Sequence, residues 1–136
     1  LGTRWLGQPE PQEPLENRSL TKSKLISVET GGWARVEALL ALLDGIAMRH
    51  GVGIGAVAVA WVLAQLGVGA VIAGARNASH LADTVAGATL QLTVDDQAAI
   101  DAFLSEMPAP PGDVYELERD RDGRHGRIMR YNLNAP

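Results

Sequence analysis

The residues best suited to chemistry lie where an apolar run is followed by a glycine turn and then by a helical pattern. The run 69–73 is short and continuously apolar, which is typical of a buried strand in a parallel sheet. Gly74-Ala75-Arg76-Asn77 follows as a turn, and helical periodicity begins at about residue 78. Because a helix N-terminus carries unpaired N–H groups and an arginine fork matches phosphate, this spacing predicts an anion site. The alternative is that Arg76 only caps or solvates the loop.

Other candidate sites are sparse. Gly51-Val52-Gly53-Ile54-Gly55 has the look of a nucleotide loop, but it lies between two predicted helices and follows no strand, so helix termination is the better interpretation. His50, His80 and His125 are scattered without metal-ligand spacing, and the chain has no cysteine, which excludes disulfides and thiolate ligands. No nucleophile elbow or acid–base pair is recognisable. The sequence predicts neither a metal site nor a catalytic residue.

Helices are the main elements that would position the anion site. The residues at 54–66 are apolar on nearly every face, which indicates a helix buried on nearly every side. Thr93-Val94-Asp95-Asp96 resembles a capping box with Asp in place of Glu or Gln. Apolar periodicity predicts four helices and one strand, over about 33–50, 54–66, 69–73 (the strand), 78–88 and 94–106.

The two ends of the chain have a different character. Residues 1–30 contain glycines and three early prolines, and we expect them to be irregular, which for a loop of that length usually means a functional or connecting segment. Residues 112–136 carry five acidic and five basic side chains. Two interpretations of this charged tail stay open: a solvated, self-paired surface segment, or a tail that folds over a partner domain or an active site.

Composition limits the class of protein and its partners. With 46% hydrophobic and 21% charged residues, the 136-residue chain has the composition of a globular domain. A net charge of −4 argues against a nucleic-acid surface, and no apolar run reaches the ~18 residues of a membrane span. The absence of cysteine fits a reducing compartment, and we expect a cytoplasmic protein.

The stretch from Leu25 to Asp101 resembles the C-terminal part of aldo/keto reductases. Leu6-Gly7 and Asn17–Lys22 resemble the long loop after the seventh strand in one subgroup, so the resemblance covers roughly residues 1–106. The matching motifs are Ile46-Ala47-Met48-Arg49-His50-Gly51-Val52, Val57-Ala58 with Trp61-Val62-Leu63, Val71-Ile72-Ala73-Gly74-Ala75-Arg76, and Leu92-Thr93 through Asp96 with Ile100-Asp101.

The resemblance implies an α/β fold, namely the C-terminal portion of a (β/α)₈ TIM barrel that is mostly helical within this chain and has one strand. It assigns residues 1–30 to the loop after the seventh strand, 31–106 to helices, last strand and cofactor loop, and 107–136 to the charged tail. A complete barrel needs about 250 residues, so this chain would hold only part of one.

The resemblance also implies NADPH as cofactor, bound at the C-terminal face of the barrel. The loop after the eighth strand and the next helix bind the adenosine 2′-phosphate and the adenine in this family. Four positions depart from the family's pattern: His80 replaces Gln or Arg, Asp83-Thr84 replaces Glu-Asn, Ala73 replaces Pro, and Gly53 replaces a helix-capping Ser. Carried over by position, the cofactor-binding residues are Gly74, Ala75, Arg76, His80, Asp83 and Thr84.

The implied reaction is hydride transfer between a nicotinamide and a small carbonyl or alcohol. The family's catalytic Asp, Tyr, Lys and His come from the first half of the barrel, and none of those motifs is present in this sequence. We therefore expect the chain alone to be inactive and to need the N-terminal half-barrel or self-association. The alternative is a non-catalytic helical remnant that acts as a nucleotide- or partner-binding module.

Overall fold

The computed structural model describes residues 5–12, 15, 18–74, 78–109 and 112–129. Its elements are helices throughout those residues, and contacts divide the chain into two compact units. Unit 1 comprises Leu1–Pro9 and Glu37–Glu106, and unit 2 comprises Glu10–Val36 and Met107–Pro136. The α-helices are α1 (Arg18–Glu29), α2 (Trp33–His50), α3 (Ile54–Leu63), α4 (Ser79–Thr89), α5 (Val94–Ser105) and α6 (Val114–Arg119), and a 3₁₀ helix follows at Gly126–Ile128.

The four helices that the sequence predicts between residues 33 and 106 are confirmed as α2 to α5. Gly51 ends α2 with a φ of +65°, a conformation that glycine adopts without steric cost, which confirms the interpretation of this glycine as a helix terminator. The capping box of α5 is also confirmed, because Thr93 accepts from the backbone N–H of Asp96 while Asp96 accepts from that of Thr93.

The prediction of a strand over 69–73 is wrong for this chain. Residues 68–74 lie in neither a helix nor a strand, and the described part of the chain is all helical, so the predicted α/β class is not realised within it. A strand needs a neighbouring strand to pair its N–H and C=O groups, and the described residues supply none. The side chain of Ile72 is consequently fully exposed. Leu66 is fully exposed as well, and it lies beyond α3, which ends at Leu63 and not at the predicted residue 66.

The expectation that residues 1–30 are irregular is wrong for their second half, which forms α1. The early prolines all precede α1, so nothing in its sequence breaks a helix. Its C-terminal end is closed by backbone hydrogen bonds from Thr30 to Ile26 (2.9 Å) and from Gly32 to Ser27 (2.8 Å). α1 also packs against the 3₁₀ helix of the tail, and tertiary contacts of this kind supply most helix stability in proteins.

Unit 1 contains a hydrophobic core. α3 packs closely against α4. Gly87 permits this contact, since a Cβ atom at its position would lie only 2.7 Å from the carbonyl oxygen of Ala56. Only one side of α3 is fully buried, so it is less enclosed than its composition predicts. The core residues are Leu40, Leu43, Ile46, Ala47, Ile54, Ala56, Val57, Ala60 and Ile100.

No single described helix is long and apolar enough to cross a membrane. α2 and α3 together have a suitable length and composition, but they are bent by 93° relative to one another.

Unit 2 joins α1 to the charged tail. Lys22 of α1 pairs with Glu118 of α6, although the two residues are 96 positions apart. Glu29 at the end of α1 bonds the Nε2 atom of His125 at 2.9 Å, and His125 is buried. The tail therefore pairs with the N-terminal part of its own chain in addition to pairing with itself, which neither interpretation from the sequence anticipates.

Candidate cofactor site

The six predicted cofactor-binding residues fall into two groups. Gly74 is exposed, and a Cβ atom at that position would meet nothing within 4 Å. Ala75 and Arg76 lie outside the described residues, as does the side chain of His80. His80, Asp83 and Thr84 all lie on α4, with a spacing that places them on one face of the helix. Asp83 and Thr84 are half-buried.

The start of α4 receives no side-chain cap from its own N-cap residue. Its N-cap residue is Ala78, which offers no side-chain hydrogen bond to the first turn, and that turn contains no acidic residue. The first N–H groups of a helix have no partner within the helix and carry partial positive charge. The anion site predicted from Gly74, Arg76 and the start of α4 stays a prediction, because residues 75–77 lie outside the described part of the chain.

Asp83 has a partner within the chain. Its Oδ1 atom accepts a hydrogen bond of 2.9 Å from the backbone N–H of Gly53, the N-cap residue of α3. A Cβ atom on Gly53 would lie 2.6 Å from Oδ1 and 2.5 Å from Oδ2 of Asp83, and one on Gly55 would lie 2.8 Å from Oδ2. The carboxylate thus lies directly on the first turn of α3, in space that the two glycines leave open.

The strongest polar cluster of unit 1 is one that sequence reasoning misses. Asp96, only 3% exposed, receives a 2.6 Å hydrogen bond from Arg49 Nη2 on Oδ1 and bonds His50 Nε2 at 2.7 Å through Oδ2. The backbone N–H of Thr93 adds a third hydrogen bond, of 3.1 Å, to Oδ2. The cluster joins the C-terminal end of α2 to the N-terminal end of α5.

Two opposing effects act on the Asp96 carboxyl. Burial disfavours its charged form, but the hydrogen bonds from His50, Arg49 and Thr93 outweigh burial and hold the pKa of Asp96 well below its usual range. The carboxylate is therefore ionised at neutral pH. Because it is buried and each of its oxygens is already bonded, it serves to hold two helix ends together and leaves no surface for a ligand.

A weak signal for this cluster exists in the sequence. Basic residues in the last turn of one helix and an acidic residue in the first turn of another each complement a helix dipole. Their pairing across 46 positions of chain is visible only in the folded structure. A further bond between helices, from Trp61 Nε1 to Asp101 Oδ1 at 2.8 Å, ties α3 to α5 in the same unit.

The described residues contain no group of three or more His, Asp or Glu side chains that could hold a metal ion.

Comparison with models of protein families matches residues 3–105 to the family described as "Aldo/keto reductase family". This range includes the motifs quoted above and the helices α1 to α5. The searches of curated proteins and of solved structures found no match.

Proposed function

This chain belongs to the aldo/keto reductase family, and we propose that it is the C-terminal part of an NADP-dependent reductase. The reaction of the complete enzyme would move hydride between the nicotinamide and a small carbonyl or alcohol. Residues 1–30 would follow the seventh strand of a (β/α)₈ barrel, and residues 69–73 would become its last strand when neighbouring strands pair with them. The exposed Ile72 is consistent with a segment that awaits such neighbours.

Within that enzyme, this chain would bind the adenosine 2′-phosphate end of NADPH. The observation that carries this proposal is that Gly74-Ala75-Arg76 lies in the matched range and comes two residues before α4, whose N-cap residue Ala78 supplies no side-chain cap. Gly74 would let the backbone come close to the phosphate, and Arg76 would bond it with two N–H groups. His80 in the first turn of α4 would add a donor. Of the two positions that the family pattern assigns to adenine contacts, Asp83 is already bonded to Gly53, and Thr84 would make the contact.

The nicotinamide end would be held elsewhere, in the N-terminal half of the barrel. Hydride transfer requires the nicotinamide beside the carbonyl carbon and a proton donor beside the carbonyl oxygen, and binding energy at the remote phosphate cannot replace them. We therefore expect only background NADPH oxidation by this chain alone with a panel of aldehydes. Cytoplasmic location remains part of the proposal.

A calorimetric titration with 2′,5′-ADP and 5′-ADP tests the phosphate assignment, because only the first ligand carries the 2′-phosphate. Arg76→Ala should lower the affinity for 2′,5′-ADP about 10- to 100-fold, corresponding to the roughly 1.5–3 kcal/mol of a charged hydrogen bond, and should leave 5′-ADP unchanged. Arg127→Ala, which removes the same charge from an exposed position in the tail, serves as the matched control. Equal weakening of both ligands by Arg76→Ala would reject the assignment.

A second candidate function is a non-catalytic helical module that binds a nucleotide or a partner chain. The full exposure of Leu66 and Ile72 favours it, since such side chains are available to a partner of any kind. The coding sequence before Leu1 discriminates between the two candidates. Repeated βα patterns with a Tyr and a Lys in the catalytic positions would support the reductase, and their absence would support the module.

A further inference from the structure

The N-terminal end of α3 lacks a cap of its own. Its N-cap residue, Gly53, has no side chain to accept a hydrogen bond, and the first turn of the helix contains no acidic residue. The backbone of Gly53 is extended, with φ −88° and ψ 164°, which is the ordinary geometry of a capped helix start. The helix therefore begins in the usual manner without the usual means of stabilising its first turn.

Asp83 supplies what α3 lacks, from the neighbouring helix. Its carboxylate accepts the Gly53 N–H at 2.9 Å across 30 positions of chain, and it places a negative charge at the positive end of α3. Both carboxylate oxygens face α3, since Oδ1 and Oδ2 lie within 2.6 Å of the place that a Cβ atom on Gly53 would occupy.

The first turn of α3 can consequently be capped by a side chain at position 53 or by Asp83, but not by both. A serine side chain at position 53 could cap α3 by itself, but its Cβ atom would collide with the Asp83 carboxylate. Gly55 leaves room on the other side of the same carboxylate, where a Cβ atom would lie 2.8 Å from Oδ2. Glycine at 53 and aspartate at 83 therefore form one arrangement, in which the cap also connects two helices.

The same arrangement orients α4. Asp83 and Gly87 are one turn apart on the face of α4 that packs on α3, and Gly87 brings the two backbones into close contact. Asp83 also lies one turn beyond the start of α4, where the 2′-phosphate would bind. A displacement of α4 at Asp83 would therefore move the helix N–H groups that face the phosphate.

We propose that Asp83 is a positioning residue of the cofactor site: it caps α3 from α4, holds the start of α4 in place, and does not read the adenine base. This inference rests on the proposed function for its cofactor part, whereas the cap itself is independent of any ligand. The observation behind this inference is that Oδ1 already accepts the Gly53 N–H and that both oxygens lie against the first turn of α3.

The cap is tested first, without ligand, by four forms of the full chain: wild type, Asp83→Ala, Gly53→Ser, and the double variant. Asp83→Ala removes the cap and Gly53→Ser introduces a collision, so each alone should lower the thermal midpoint by about 2–6 °C. The double variant should regain most of the loss, because the serine introduced by Gly53→Ser can cap α3 once the carboxylate has gone. Additive losses would overturn the proposal.

Hydrogen exchange of the α3 and α4 backbone amides provides the same comparison in a chain that self-associates, because exchange reports local opening. The single variants should speed exchange at the start of both helices, and the double variant should restore the protection of α3. Faster exchange confined to α4 after Asp83→Ala would contradict a cap on α3.

The positioning role is tested with 2′,5′-ADP and with its analogue in which hypoxanthine replaces adenine. Asp83→Ala should weaken both ligands by a similar factor, about 3- to 10-fold, and Gly53→Ser in the same chain should recover both. A base-reading Asp83 would instead produce a loss confined to the adenine ligand, with no recovery, and would overturn the inference. If Arg76→Ala fails to distinguish 2′,5′-ADP from 5′-ADP, the proposed function fails, while the ligand-free test of the cap still stands.

Discussion

Units 1 and 2 are stabilised by different interactions. Among the described residues, the buried hydrophobic side chains all lie in unit 1, from Leu40 to Ile100. The buried side chains of unit 2 are polar, namely Ser27 and His125, and its helices are joined by charged pairs between α1 and the tail. Salt screens charged pairs near the surface and weakens them, whereas this screening does not weaken apolar burial.

This difference indicates which of the two units is better able to stay folded by itself. Unit 1 has a core around α2, α3 and α5. Asp96 is the buried carboxylate among its described residues, and both of its oxygens are hydrogen-bonded. Unit 2 depends on a few polar contacts, and the Nδ1 atom of its buried His125 has no hydrogen-bond partner among the described residues. We therefore expect unit 2 to open more readily than unit 1.

The largest effect should come from Asp96→Ala, which breaks the strongest cluster of unit 1. Removing this carboxylate leaves His50 and the Thr93 N–H without their acceptor, and the loss of hydrogen bonds to a charged group costs about 1.5–3 kcal/mol. Urea unfolding followed by circular dichroism measures this loss. Asp95→Ala, an exposed change in the same turn of α5, should cost less than about 1 kcal/mol. Similar losses in the two variants would contradict the special role of Asp96.

The same carboxylate predicts a pH dependence. Because the pKa of Asp96 is lowered in the folded chain, its contribution to stability is present above the unfolded-state value of about 4. That contribution falls as the pH drops from about 4 through the lower folded-state pKa. Asp96→Asn should flatten the dependence in this window, as measured by urea midpoints at successive pH values. An unchanged slope would show that other carboxyl groups control acid unfolding.

A smaller effect is expected in unit 2 from His125→Ala. The change removes the bond to Glu29, and we expect a cost of about 1–2 kcal/mol confined to α1 and the tail. Hydrogen exchange should become faster at residues 112–129, while the amides of α3 and α5 serve as an internal reference. Arg119→Ala, which breaks only an exposed pair within α6, should leave exchange unchanged. Faster exchange in α3 would contradict separate stabilisation of the two units.

The smallest effect on stability should follow from replacing Leu66 and Ile72 by Lys. Both side chains are fully exposed, so the double change should alter the free energy of unfolding by less than about 0.5 kcal/mol. It should nevertheless abolish the self-association that we expect of the 136-residue chain, because exposed apolar side chains favour association. Light scattering at several protein concentrations measures the self-association. Met48→Lys, a change at an exposed position of α2, is the control. A wild-type monomer at every concentration would refute this expectation.

Local pattern was sufficient to predict much of unit 1. The bounds of α2, the capping box at Thr93, and the presence of α3, α4 and α5 all follow from the spacing of apolar residues, from Gly51 and from the residue types at helix ends. These features depend on interactions between residues a few positions apart, and helices satisfy most of their own backbone hydrogen bonds. The phosphate assignment of Gly74 and Arg76 rests on the same kind of local order and stays a prediction.

The remaining features depend on contacts between distant residues. The stretch 69–73 has the composition of a strand, but a strand forms only with a partner, and the described chain provides none. α1 is stabilised by the tail, and Asp83, predicted from its position as a cofactor contact, meets the start of α3. Sequence thus determined which segments become helices, because helix hydrogen bonds are local. The distant partners of Asp83, Asp96 and His125, namely Gly53, His50 and Glu29, were decided by the tertiary structure alone, because these hydrogen bonds span 30 to 96 positions of chain.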